Sequence, residues 1–161
     1  MKPPQLMVFD LDFTLWDCDG TWCNCLSPPF KIRSGIVLDA RQHPVTLYSD
    51  VQKILDECDR QNLDMALASR TEQPAWAQDL IELHGIAHRF SHVEIYPTSK
   101  LKHFAALRAA SSIDYKQMLF FDDEIRNITE VSSLGVNCIH VTNGLNHCVF
   151  RQALNHFTQQ C

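Results

Sequence analysis

The sequence predicts an α/β fold built on a doubly wound parallel sheet, and three observations carry that expectation. Short, nearly continuous apolar runs alternate with helical patterns five times along the chain, the signature of strand–helix–strand units. Those runs close on acidic or small polar residues. One long stretch, about 17–47, stands outside the alternation.

The elements follow in order. Leu6-Met7-Val8-Phe9 closes at Asp10, Asp64-Met65-Ala66-Leu67-Ala68 at Ser69, and Met118-Leu119-Phe120-Phe121 at Asp122. Runs of this kind suit parallel strands covered on both faces. Weaker strand candidates are Val93 to Tyr96 and Cys138 to Val141. Ser49 is a candidate cap for a helix with Val51, Ile54, Leu55 and Cys58 on one face. A second helix is expected from about Ala75 to Leu83, stopped by Gly85. Ser99 would cap a third, carrying Leu101, Phe104, Ala105 and Leu107 inward. Two more fit Arg126 to Leu134, stopped by Gly135, and Leu145 to about Thr158. The segment Asp17 to Leu47, with its glycines and prolines, reads as a loop or β-flap, since a loop of that length is usually functional or disordered. The expectation is one domain over residues 1–161 with this flap inserted.

Bulk properties narrow the class. A chain of 161 residues, 45% hydrophobic and 20% charged, can bury a core without metal or disulfide staples. Net charge is −5 and no basic run is present, which argues against a nucleic-acid surface. The apolar run before Asp10 is too short for a signal peptide or membrane span, so a cytoplasmic protein is expected. Seven irregularly spaced cysteines argue against a disulfide framework and for reduced thiols. The eight histidines form no catalytic pair and are assigned to surface and core roles.

Parallel sheets bind ligands beyond the strand carboxyl ends. Four carboxylates fall at two such ends: Asp10, Asp12, Asp122 and Asp123. Like charges about 4 Å apart repel by roughly 4 kcal/mol at an effective dielectric near 20, so the cluster needs a cation. An all-oxygen set without His or Cys points to Mg2+, which keeps waters and bridges to a substrate phosphate. Alternation along an extended strand end puts Asp10 and Asp12 on one side, Leu11 away from them, and Thr14 within reach of either aspartate. A turn or cap pair is the bland alternative for Asp-x-Asp taken alone. Ser69 could donate to a phosphate oxygen and Arg70 could contact the substrate, against the alternative of a helix cap and a surface cation. Lys100, just after a strand end, could bind phosphate as a point charge, with Lys102 as a local competitor.

Phe9-Asp10-Leu11-Asp12-Phe13-Thr14-Leu15 resembles the Asp-x-Asp-x-Thr motif of the haloacid dehalogenase superfamily. Ser69, Lys100 and Asp122-Asp123 match its other three motifs in order. Within it, Ala68-Ser69-Arg70-Thr71, Glu94-Ile95-Tyr96-Pro97 and Phe120-Phe121-Asp122-Asp123-Glu124 are similar to the capless magnesium-dependent phosphatases of type one. The resemblance implies a phosphomonoesterase acting through an aspartyl-phosphate on a phosphotyrosine protein or a small sugar phosphate such as fructosamine-6-phosphate. It implies Asp10 as nucleophile and metal ligand, and Asp12 as general acid and base that also gives its backbone carbonyl to the metal. Asp123 would be the second carboxylate ligand with Asp122 beside it, while Leu11, Ser69 and Lys100 hold phosphate and Arg70 meets the substrate. The rivals are a phosphotransferase or mutase, which in this superfamily generally needs a cap to exclude water, and a silent phospho-ligand binder.

The flap matches no motif. Cys18, Cys23 and Cys25, with His43 as a candidate fourth ligand, could bind zinc or act as a redox switch, against incidental reduced thiols. Trp16, Trp22 and Phe30 could wall the leaving-group side, and Arg33 or Arg70 could meet a second anion.

Overall fold

The computed structural model describes residues 2–160, the side chain of Gln160 excepted. Five strands form a parallel sheet: β1 (Leu6–Phe9), β6 (Asp64–Ser69), β7 (His92–Ile95), β8 (Met118–Asp122) and β9 (Asn137–His140), in the order β7-β6-β1-β8-β9. β1 is central, paired with β6 through Phe9↔Leu67 and with β8 through Phe9↔Phe121. The five runs read from the sequence are these five strands, with the weaker two shifted by one residue.

Alternation inside the strands feeds two cores. Met7, Phe9, Met65, Leu67, Leu119 and Phe121 face one side, against α1 (Val51–Arg60), α2 (Pro74–Leu83) and α5 (His147–Gln160). Leu6, Val8, Ala66, Ala68, Met118 and Phe120 face the other, against α3 (Lys100–Ser111) and α4 (Ile125–Ser132). Successive side chains of a strand point to opposite faces, so both faces demand apolar residues and the runs read as continuous. Phe9 stacks on Phe121 with centroids 5.6 Å apart. The order turns back at β1 and β8: the chain leaves β1 toward β6 and leaves β8 toward β9. Their carboxyl ends therefore border the crevice where such sheets bind ligands.

The stretch after Asp10 folds into a second, antiparallel sheet. Strands β2 (Trp16–Asp17), β3 (Lys31–Arg33), β4 (Ile36–Leu38) and β5 (Pro44–Leu47) stand in the order β2-β5-β4-β3, with a 3-10 turn at Cys23–Cys25. Val37 and Val45 face inward while β3 is exposed throughout. Asp39 anchors the β4–β5 turn, its carboxylate accepting from the backbone N–H groups of Ser27, Arg41 and His43 at 2.8–2.9 Å.

Two local expectations are corrected and one holds. Ser49 does not cap α1. Asp50 occupies that position without a capping bond, because its carboxylate accepts the His147 N–H at 3.0 Å and ties α1 to α5. Ser99 does cap α3, accepting from Leu101 N–H at 3.2 Å. The inward face of α3 is nevertheless Lys100, His103, Phe104 and Leu107, with Leu101 and Ala105 exposed. Lys100 takes an inward place that apolar patterning alone gives to Leu101.

Candidate active site

The chain leaves β1 at Phe9 and turns at once, so the extended strand end expected at Asp10–Asp12 is absent. The Leu11 carbonyl accepts from the N–H groups of Thr14, Leu15 and Trp16 at 2.9–3.3 Å. Phe13 sits in the left-handed region at φ 61°, uncommon outside glycine. Asp10 and Asp12 still reach one cavity, while the Leu11 side chain lies in the core as the sequence implied. Thr14 Oγ1 donates to Asp10 Oδ2 at 3.3 Å.

The cavity has a volume of about 230 Å³ and lies at the strand ends. Asp10, Asp12, Ser69, Arg70, Lys100 and Asp123 line it, each of them singled out in the sequence. Lys100 is completely buried. Its ammonium donates to Asp10 Oδ1 at 2.9 Å and to the Ala68 carbonyl, and lies 3.1 Å from Asp122 Oδ2. Burial works against its charge, but the two carboxylates outweigh burial and raise its pKa. The competitor Lys102 is exposed.

Asp122 and Asp123 are adjacent yet placed differently. Asp122 is fully buried, with Oδ1 accepting from Glu124 N–H at 2.7 Å and Oδ2 from Asn127 Nδ2 at 3.0 Å. Asp123 turns into the cavity. Burial, and then the neighbouring Asp10 charge, push its carboxyl up to about 9. Burial, then Asp10, lift Asp122 to about 6. Burial raises Asp10 as well, with Lys100 opposing. One oxygen from each of Asp10, Asp122 and Asp123 falls within 4.8 Å of the others. Both Asp122 oxygens accept from N–H donors and Asp122 does not line the cavity, whereas Asp10 and Asp123 do, so those two carboxylates are the ones presented to a cation.

Ser69 is buried at the end of β6, and its Oγ accepts weakly from Thr71 N–H at 3.4 Å. Arg70 donates to Asn127 Oδ1 at 3.0 Å, so Asn127 bridges Arg70 to Asp122. Asp12 Oδ1 receives Trp16 Nε1 at 2.7 Å, Cys23 N at 3.0 Å and Cys18 Sγ at 3.5 Å. Burial nevertheless raises the Asp12 pKa.

The flap residues separate. Trp22 lines the cavity and is 52% exposed. Trp16 is entirely buried, so it walls nothing. Phe30 packs edge-on against Trp76 at 6.3 Å beside α2, and Arg33 lines a different surface cleft. No metal group forms from the cysteines among the described residues, and His43 pairs with Asp19 at 2.9 Å instead. The six described cysteines are free, and burial pushes the Cys18 and Cys23 thiols far up, away from the reactive thiolate.

Four residues make contacts that the sequence did not reveal: Trp16 and Cys18, singled out there for other roles, on Asp12; Asn127 on Asp122; and His140, whose Nε2 lies 2.8 Å from the Asp123 carbonyl. Asn127 carried a faint signal, being an amide in the first turn of the helix that follows the Asp122-Asp123 pair. The others depend on contacts that no spacing rule reveals.

A family model described as acid phosphatase matches residues 2–160. The chain belongs to the acid phosphatase family. Among curated relatives of this family member, magnesium-dependent phosphatase 1 of Homo sapiens is 44% identical over 158 residues, 97% of this chain and 88% of that one. A HAD-like hydrolase superfamily protein of Schizosaccharomyces pombe is 36% identical over 146 residues, 83% of each chain. A hydrolase from Streptococcus pneumoniae superposes with a TM-score of 0.70 at 17% identity, covering 96% of this chain and 100% of that one. A haloacid dehalogenase-like hydrolase from Xanthomonas campestris gives 0.68 at 13%, covering 99% and 100%. These structures share the fold of this acid phosphatase family member. No helix among the described residues is long and apolar enough to cross a membrane.

Proposed function

We propose that this acid phosphatase family member is a magnesium-dependent phosphomonoesterase that takes phosphate onto Asp10 and passes it to water. The observation that carries this reading is Lys100. A fully buried ammonium 2.9 Å from Asp10 Oδ1, at the head of a cavity shared with Asp12 and Asp123, suits a phosphate-binding point charge better than a structural ion pair.

The residues fit a hard divalent cation. The donors are carboxylate oxygens, one each from Asp10, Asp122 and Asp123 within 4.8 Å of the others, and burial and Asp10 push Asp123 up to about 9. Asp10 and Asp123 would hold the ion, joined by the Asp12 backbone carbonyl. When bound, Mg2+ supplies charge neutralisation for the carboxylate pair and the phosphate oxygens. The similarity to a relative named as magnesium-dependent favours that metal.

The protein groups divide the rest. Lys100, the Ser69 hydroxyl and the Leu11 backbone N–H hold phosphate oxygens, while Arg70, fixed by Asn127, meets the substrate body. Asp10 attacks phosphorus in line, forming an aspartyl-phosphate as the ester P–O bond breaks. Asp12 gives the departing oxygen its proton. The Asp12 carboxylate then takes a proton from water, which attacks phosphorus, releases phosphate and restores Asp10.

On this reading residues 1–161 are one phosphatase domain with the 17–47 flap inserted, acting on a phosphorylated small molecule or a phosphoprotein in the cytoplasm. The cavity edge carries Trp22 together with Arg70, Glu72 and Arg126. That mixture suits an aromatic or polyhydroxylated leaving group, either phosphotyrosine or a sugar phosphate such as fructosamine-6-phosphate. Turnover of p-nitrophenyl phosphate with and without Mg2+, followed by a panel of phosphotyrosine peptides and sugar phosphates, tests both levels. No turnover of any ester in saturating Mg2+ would sink the reading.

A further inference from the structure

Asp12 is held with an unusual bias. Three donors converge on Oδ1: the Trp16 indole N–H at 2.7 Å, the Cys23 backbone N–H at 3.0 Å and the Cys18 thiol at 3.5 Å. Oδ2 accepts none of the three, and Asp12 lines the cavity. Trp16 opens the antiparallel layer and Cys18 and Cys23 lie in the 17–47 flap, while Asp12 belongs to the turn after β1.

The donors are themselves immobilised. Trp16 is fully buried, its carbonyl accepts from Phe13 N–H at 2.8 Å, and it pairs with Leu47 in β5. Cys18 is fully buried as well, and the Cys23 thiol donates to Thr71 Oγ1 at 3.3 Å. The terminal torsion of an aspartate is otherwise broad and roughly two-fold. An indole N–H and a backbone N–H can only donate. They select a bare oxygen at Oδ1, so a proton on Asp12 resides on Oδ2.

We propose that Trp16, Cys18 and the Cys23 backbone act as positioning residues, locking Asp12 so that Oδ2 meets the leaving oxygen of the phosphate ester. The inference rests on the acid role proposed for Asp12. As Asp10 bonds to phosphorus and the ester P–O bond breaks, the leaving oxygen takes the Oδ2 proton and Asp12 becomes a carboxylate. With Oδ2 turned away, the oxygen departs as an alkoxide or phenoxide. The penalty grows with the basicity of that leaving group, so misorientation is read as leaving-group dependence.

The experiment measures kcat/KM of the full chain in saturating Mg2+, from p-nitrophenyl phosphate through phenyl to alkyl phosphates. It compares wild type with Trp16→Phe, Cys18→Ala, Cys18→Ser and Asp12→Asn, and records Tm for each. Trp16→Phe should lose about 10- to 100-fold with alkyl phosphates, within the range of a general acid, and under about 5-fold with p-nitrophenyl phosphate. Cys18→Ala should tilt the same way by less, and Cys18→Ser, which keeps a donor, should return toward wild type. A uniform loss across leaving groups in both Trp16→Phe and Cys18→Ala, with Asp12→Asn still discriminating, overturns the positioning role alone. If Asp12→Asn also loses uniformly, the acid assignment fails and the inference with it. Should Trp16→Phe not fold, the Cys18→Ala and Cys18→Ser pair decides the matter.

Discussion

The parallel sheet and the flap solve different problems with different chemistry. In the sheet, β1 and β8 are buried on both faces, with Phe9 and Phe121 stacked at their ends. Such packing fixes the strand ends closely, and there the chain places its charges: Asp10, Asp122, Asp123 and the buried Lys100. The flap buries only one face, turning Val37 and Val45 inward and leaving Ile32 and Ile36 about half exposed. It contributes neutral donors to Asp12 and a half-exposed Trp22. The difference suggests a division of labour. On the proposed reading, phosphate and charge are handled at the ends of the fully buried strands, and the leaving-group side by the layer that buries only one face.

Substitutions in the sheet should test that division most severely. Asp10→Asn should abolish turnover and leave no phosphorylated protein detectable by mass spectrometry, because an amide is a poor nucleophile. Its melting temperature should not fall, since one of several crowded acids has been neutralised. Chelation should come next, removing turnover reversibly. Mg2+ should restore it better than Ca2+ and raise Tm with concentration, as any ligand of the native state does. Full activity in excess chelator would contradict the whole arrangement. Lys100→Met should cost about 1,000-fold or more in kcat/KM. Unlike Asp10→Asn it should also destabilise, by about 3–5 kcal/mol in urea denaturation, because Asp122 is left buried without its cation.

The same division explains what the sequence made legible. A strand buried on both faces leaves a continuous apolar run, and a run ending in Asp10 or Asp122 states both its element and its chemistry. Ser69 and Lys100 were legible for the same reason, each standing at or just beyond a strand end. The flap was legible only as an exception to the alternation, because short antiparallel strands with one wet face leave little pattern. Its link to the site was invisible. Nothing in the spacing of Trp16, Cys18 and Cys23 announces that all three reach one oxygen of Asp12, and the turn at Phe13 that allows it replaces the extended strand end the sequence implied. Lys100 shows the opposite failure, where a buried cation displaced Leu101 from the face that apolar patterning assigned to it.

A smaller effect should come from the flap's own anchor. Burial raises the Asp39 pKa, but the N–H groups of His43, Ser27 and Arg41 outweigh it and hold the carboxyl below its usual 3.8. A depressed folded pKa contributes stability that is complete above the unfolded value and disappears as pH falls through the folded one. Asp39→Asn should therefore cost about 1–3 kcal/mol at neutral pH, the scale of hydrogen bonds to a charged group. The gap from wild type should stay constant down to about pH 4 and close below it. Since Asp39 lies outside the cavity, kcat/KM at low temperature should change less than about 3-fold, well under the change expected for a general acid. A gap that persists unchanged at pH 2 would mean that the carboxylate charge is not what anchors the turn.

The smallest effect expected is also the one that separates the two layers most directly. Trp22 lines the cavity from the flap side, 52% exposed, edge-on to Phe13 with centroids 5.9 Å apart. A residue that anchored the flap to the body would be buried, as Trp16 is. Trp22 instead presents an indole to whatever occupies the leaving-group side, where a flat apolar surface can cover a phenyl ring or the carbon face of a sugar. Trp22→Ala should raise KM for an aromatic phosphate about 3- to 10-fold and leave kcat nearly unchanged, the pattern of binding lost equally from ground and transition states. Stability should move by no more than about 0.5 kcal/mol, as for surface positions generally. Inorganic phosphate, which has no leaving group, supplies the internal control: its inhibition constant should not change. A shift in phosphate inhibition, or a lowered Tm with unchanged KM, would place Trp22 with the structural residues and move substrate selection to Arg70 and Arg126 on the sheet side.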